Sequence, residues 1–142
     1  MPIASDAELR DLLQRTKSVA VLGIKDAPSE DAHRVPAYLQ AHGYRVLPVN
    51  PKLAGQPVLG VRAVASLAGL GETPDLVNVF RAPRYVAGHA DEILALEPRP
   101  RAVWLQLGIR DDASARRLEA AGIAVVQDRC IMVEHRRLVR DR

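Results

Sequence analysis

Five apolar runs set the pattern of the chain, and the polar stretches between them carry hydrophobic residues at helical spacing. Ser18-Val19-Ala20-Val21-Leu22 is continuous and apolar, stops at Gly23-Ile24-Lys25, and gives way to a mainly polar stretch until Val35. Residues 44–49, 75–80, 102–107 and 123–126 repeat this signature, which is that of strands buried on both faces of a parallel sheet. Ser5 and Glu8 have capping-box spacing ahead of Leu9, Leu12 and Leu13, which predicts a first helix. Val35, Tyr38 and Leu39 predict a second helix over about 32–42, ended by Gly43 and compatible with Pro36 only if that proline lies in the first turn. Pro83 at the first helical position predicts a third helix to about residue 96, and Asp111 caps a fourth to about 121, which Gly122 ends. Residues 53–60 read as loop, Val61-Arg62-Ala63 as briefly extended, and Ser66 as the cap of a short turn through Leu70. Strands alternating with helices predict an α/β fold, a Rossmann-like three-layer sandwich with a mainly parallel sheet of about five strands. No repeat or linker divides it, so residues 1–142 read as one domain.

Composition narrows the function. The chain has 142 residues, 48% hydrophobic and 26% charged, the balance of a soluble globular protein. It shows no long apolar run or secretory leader, so the cytoplasm is the expected compartment and a membrane role is not. A single cysteine, Cys130, cannot form an internal disulfide and reads as a packing residue. With four scattered histidines it gives no metal-ligand spacing. The formal charge of +3 lies partly in the basic stretch 136–142, read as a solvated tail, and one Phe, three Tyr and one Trp offer no stacking platform for nucleic acid. Trp104 reads as core, and His42, His89 and His135 as helix-end or surface residues.

In a parallel sheet four strand exits converge on one edge: Gly23-Ile24-Lys25, Asn50-Pro51-Lys52, Phe80-Arg81-Ala82-Pro83 and Gln106-Leu107-Gly108. Ligands of open α/β sheets bind outside the carboxyl ends of the strands. Gly23 permits close backbone approach, the next helix offers free N–H groups, and Lys25, His33 or Arg34 adds charge, which together suit a phosphate. NAD-binding proteins generally carry an acidic residue near the end of the second strand. Asn50-Pro51-Lys52 stands there instead, and a cation suits a phosphorylated ribose, as in NADP or coenzyme A. Gly-x-Gly-x-x-Gly is absent, so the glycine turn by itself does not specify the ligand.

Val-Ala-Val-Leu-Gly at 19–23, the string from Tyr38 to Pro51 ending Pro-Val-Asn-Pro, Asp-Leu-Val-Asn-Val-Phe-Arg-Ala-Pro at 75–83, Ala-Val-Trp-Leu-Gln-Leu-Gly at 102–108 and the stretch 121–134 resemble the stand-alone CoA-binding domain family. That family is itself similar to the nucleotide-binding domain of the succinyl-CoA synthetase alpha subunit. The resemblance spans about 115 of the 142 residues. It implies a Rossmann-like fold with coenzyme A across the strand exits. Gly23, Ile24 and Lys25 would lie along the pyrophosphate, Val49, Pro51 and Lys52 would hold the adenosine end, and Phe80, Arg81 and Pro83 would line the path of the nucleotide and pantetheine, with Asn50, Gln106 and Gly108 as further binding residues. Lys25 and Asp31-Ala32 depart from the family's usual hydroxyl residue and Pro-Ser pair.

No nucleophile with an adjacent base, paired carboxylates or Walker loop is present, and no catalytic residue is assigned. The first expectation is a non-catalytic module for coenzyme A or an acyl-CoA, with a partner protein left open. The alternatives are an NADP-linked oxidoreductase, the nucleotide-binding half of a ligase whose catalytic subunit is another chain, or an interaction protein with a vestigial crevice.

Overall fold

A computed structural model describes residues 5–139. Helix α1 (Asp6–Arg15) opens with the expected capping box: Ser5 Oγ accepts from the Glu8 N–H, and the Glu8 carboxylate accepts from the Ser5 N–H. The chain continues through β1 (Ser18–Leu22), α2 (Asp31–Ala41), β2 (Arg45–Val49), a hairpin of β3 (Pro57–Val58) and β4 (Val61–Arg62), and β5 (Leu76–Val79). It ends with α3 (Val86–Leu94), β6 (Ala102–Leu105), α4 (Asp112–Ala120), β7 (Ala124–Val126) and α5 (Ile131–Leu138).

The main sheet has the order β2-β1-β5-β6-β7, parallel throughout. Its side chains alternate between two cores. Val19, Val21, Leu76 and Trp104 pack with α1, α2 and α5, whereas Ala20, Leu22, Val77 and Leu105 pack with α3 and α4. This is the expected three-layer sandwich, Rossmann-like, and Trp104 lies fully in its core. The strand order reverses between β1 and β5, so α2 and α3 leave on opposite faces and a crevice opens between them. No helix among the described residues is long and apolar enough to cross a membrane.

Four local expectations need correction. Pro36 is the sixth residue of α2, in its second turn rather than its first. Asp111 occupies the N-cap position of α4, but its side chain accepts from the Ser114 hydroxyl and from none of the helix N–H groups. The stretch 53–60 contributes Pro57 and Val58 to the small hairpin, turned by Leu59 and Gly60 at φ 53° and 77°. Part of the expected solvated tail forms α5, while residues 140–142 lie outside the described residues. The inner face of α5 is Ile131, Glu134, His135 and Leu138. That is helical spacing, but two of the four residues are polar, which hid the period. His135 is accordingly not at the surface: it is fully buried, its Nδ1 lying 2.7 Å from the Tyr38 hydroxyl.

The register brings the ends of β1, β2 and β5 level, pairing Leu22 with both Val49 and Val79. The next residue, Gly23, has φ +82°, and a Cβ there would sit 2.4 Å from the Phe80 carbonyl oxygen. Glycine is needed twice over, for its left-handed backbone and for the close approach. A Gly23→Ala substitution is expected to destabilise the protein by about 2–4 kcal/mol, since backbone rather than a flexible side chain blocks the methyl group. A urea midpoint equal to that of the wild type would show that the two strand exits are not locked together.

Candidate functional site

The loop after β1 is tied down by its own backbone. Gly23 N–H donates to the Val49 carbonyl at 3.0 Å, and Lys25 N–H donates to the Ala32 carbonyl at 3.2 Å. The second bond has a covalent origin. Pro36 lacks the N–H that would reach four residues back to Ala32, and Lys25 takes the freed carbonyl. Between them the Ile24 side chain is fully buried, while its carbonyl accepts from Asn50 Nδ2 at 2.7 Å. Asn50 Oδ1 in turn accepts from the Lys52 N–H at 2.9 Å. The N–H groups of Gly23 and Lys25 are thus committed to protein carbonyls.

Two cavities lie at the strand exits. The larger, about 470 Å³, is walled by Asp31, Arg34 and Val35 of α2, Phe80, Arg81 and Ala82 after β5, Gln106, Leu107 and Ile109 after β6, and Cys130, Met132 and Val133 at the start of α5. The smaller, about 230 Å³, is walled by Leu22, Gly23, Val49, Asn50, Pro51, Ala65, Arg81, His89 and Glu92. Arg81 lines both. Of the residues expected at the site, Gly23, Arg34, Val49, Asn50, Pro51, Phe80, Arg81 and Gln106 line one cavity or both. Ile24, Lys25, His33, Lys52, Pro83 and Gly108 line neither. Ile24 is in the core, His33 is half-buried, and Lys25, Lys52, Pro83 and Gly108 are exposed.

The smaller cavity is electropositive at its edge. The guanidinium of Arg81 lies 4.2 Å from the centre of the Tyr85 ring and that of Arg84 4.7 Å. The Tyr85 hydroxyl is held below the usual phenol range, first by its hydrogen bond from Arg84 and then by the charge of Arg84, with Arg81 and Lys52 adding to it. Three cations therefore act on one exposed side chain.

Arg81 is aimed by a relay on α3. Its Nε donates to His89 Nε2 at 3.3 Å, His89 Nδ1 lies 3.1 Å from Glu92 Oε2, and Glu92 Oε1 accepts from the Leu67 N–H at 2.8 Å. Accepting from Arg81 requires an unprotonated Nε2, so the proton of His89 sits on Nδ1 and points at Glu92. His89 is therefore no simple surface residue. It is half-buried, and both its ring nitrogens are engaged. The hydrogen bond with His89 is also the main cause that holds the Glu92 carboxyl below the usual carboxylate range.

The floor of the larger cavity is polar beneath an apolar wall. Gln106, at the end of β6, is 4% exposed, and its Oε1 accepts from Asn78 Nδ2 at 2.9 Å and from the Ile131 N–H at 3.0 Å. Trp104 Nε1 donates to the Arg129 carbonyl at 2.8 Å. These two bonds fix the start of α5, and with it Cys130. That thiol is half-buried: it packs against the core, as expected, and also contributes to the cavity wall.

The CoA binding domain family matches residues 17–136. The chain belongs to that family. Among curated relatives, the uncharacterized protein YneT of Bacillus subtilis is 38% identical over 131 residues, covering 92% of this chain and 94% of YneT. Among solved structures, cell-free ID.343 from Thermus thermophilus is 51% identical with a TM-score of 0.90, over 95% of this chain and 99% of that one. A hypothetical protein from Pyrococcus horikoshii OT3 is 31% identical with a TM-score of 0.89, over 98% and 96% of the two chains. In this CoA-binding domain, helix residues missed by the sequence reading complete the site: His89 and Glu92 from α3, and Met132 and Val133 from α5. The pair His89 and Glu92, three apart just after the Arg81 exit, was the available signal.

Replacing Glu92 by Ala removes two hydrogen bonds at a partly buried site and is expected to lower stability by about 1–3 kcal/mol, read from urea unfolding. Because the folded-state pKa of Glu92 is depressed, its contribution is present above the ordinary carboxylate pKa and lost as pH falls through the lower folded value. The gap between wild type and variant should therefore narrow below about pH 4.5. A gap independent of pH would show that the carboxylate charge contributes nothing.

Proposed function

We propose that this protein binds coenzyme A, free or acylated, as a non-catalytic module. The observation that carries the reading is the pair of neighbouring cavities that share Arg81, one with Arg84 and Lys52 acting nearby and the other mostly apolar. Adenosine and its ribose phosphate fit the smaller cavity, where Val49 and Pro51 provide apolar wall and Lys52 stands exposed beside it. The pyrophosphate would face Arg81, whose direction is set by His89, and the pantetheine arm would run past Phe80 toward Gln106. Because the Gly23 and Lys25 N–H groups are already used, recognition of the phosphates falls to side-chain cations and to the uncapped start of α2. Arg34 takes part there while paired to Asp31, which moderates its charge. A single free thiol suits a reducing compartment such as the cytoplasm.

Calorimetric titration with CoA, dephospho-CoA, NADP and NAD tests the reading. CoA should bind most tightly. Loss of the ribose phosphate should weaken it about fivefold, the size expected for an exposed charge pair. Lys52→Ala should reduce CoA affinity by the same factor and leave dephospho-CoA binding unchanged. A preference for NADP, or no binding of CoA at millimolar concentration by the folded protein, would overturn the assignment; a neutral Lys52→Ala would remove Lys52 from it.

A further inference from the structure

The large hydrophobic side chains that stand exposed among the described residues are Tyr85, Leu107 and Val133, at 41%, 70% and 50% of their surface. Tyr85 lies beneath two arginines. Leu107 and Val133 both belong to the wall of the larger cavity, one from the β6 exit and one from α5.

The exposure of Leu107 is built into the backbone. Gly108 follows it at φ +84°, and the Gly108 N–H donates to Asp128 Oδ1 at 2.6 Å. The Ile109 N–H donates to the Gln106 carbonyl at 2.9 Å, and the Asp128 N–H donates to the Ile109 carbonyl at 3.2 Å. The turn is closed on itself and clamped to the segment after β7, so Leu107 cannot fold inward. Val133 likewise lies out of phase with the buried positions of α5 and contributes nothing to the core.

The fold gains nothing from holding two aliphatic side chains in water on either side of one cavity. Next to them in the same wall are Ile109, Met132 and Cys130, whereas the cation Arg81 is shared with the nucleotide pocket and Arg34, paired to Asp31, lies in the α2 wall. The wall is therefore graded from cationic to apolar. A ligand that matches both ends has an anionic head and an aliphatic tail.

We infer that the preferred ligand is an acyl-CoA with an aliphatic chain, which lies against Leu107 and Val133 and dries both. This inference rests on the coenzyme A reading. Free CoA, ending in a thiol, leaves the outer wall in water.

The test is calorimetric titration of the full chain with CoA, acetyl-CoA, hexanoyl-CoA and octanoyl-CoA, repeated on a Leu107→Ser, Val133→Ser double variant. Affinity should rise with chain length, octanoyl-CoA binding at least about tenfold more tightly than CoA, because each methylene removed from water adds to binding. In the double variant the ratio of the two affinities should fall toward one. Binding of CoA with no gain from the chain, or a gain that survives in the double variant, overturns the acyl inference and leaves the coenzyme A reading standing. Failure of every thioester and of CoA to bind overturns both. Sedimentation of the free protein covers the competing occupant: a tight dimer that the double variant abolishes would mean that a second copy covers this surface, and the inference would fall.

Discussion

The contact between Gly23 and the Phe80 carbonyl fixes the geometry on which the rest of the site depends. With no side chain at position 23, the Phe80 carbonyl and the Arg81 Cδ take the space that a Cβ would need, at the point where strand order reverses. One cavity lies on the α2 and α5 face and another beside β2 and α3, and Arg81, its Cδ over Gly23, lines both. A larger residue at 23 would displace Arg81 as well as Phe80, so stability and recognition share one atom-scale constraint.

A second constraint explains how the anion is recognised. Glycine-rich phosphate loops work by leaving backbone N–H groups unpaired and aimed at the ligand. Here Pro36 frees the Ala32 carbonyl, Lys25 N–H takes it, and Gly23 N–H is taken by Val49. Two of the loop's donors are thereby used within the protein. Charge recognition then moves to side chains, which explains why arginines gather on the β5 exit and why one of them, Arg81, has a two-residue support on α3.

Much of this was legible in the sequence. The strands were readable because residues buried on both faces leave continuous apolar runs, and the exit residues Gly23, Asn50 and Arg81 followed from where those runs stop. Two kinds of feature were not. The start of α5 was concealed because Glu134 and His135 occupy inward positions, Glu134 satisfied by Arg137 at 2.6 Å and His135 by Tyr38. Pro36 reads as a first-turn residue because the sequence does not reveal that a carbonyl orphaned inside a helix will find a donor seven residues earlier, in the preceding loop. Both are pairings of polar groups, and hydrophobic periodicity carries no trace of them. The site residues missed, His89, Glu92, Met132 and Val133, come from the helices for the same reason.

The polar floor of the larger cavity explains why α5 is part of the site at all. Asn78 is fully buried in the middle of β5 with its Oδ1 lacking a hydrogen-bond partner, an arrangement cores normally avoid. Its Nδ2, however, holds Gln106 in the orientation that receives the first N–H of α5. An apolar residue at 78 would remove the orphaned oxygen and also release Gln106, and with it the start of the helix that carries Cys130, Met132 and Val133. The unsatisfied atom is thus the local consequence of fastening a helix to a strand exit. The wall of the cavity stays fixed because the core beneath it accepts a polar residue there.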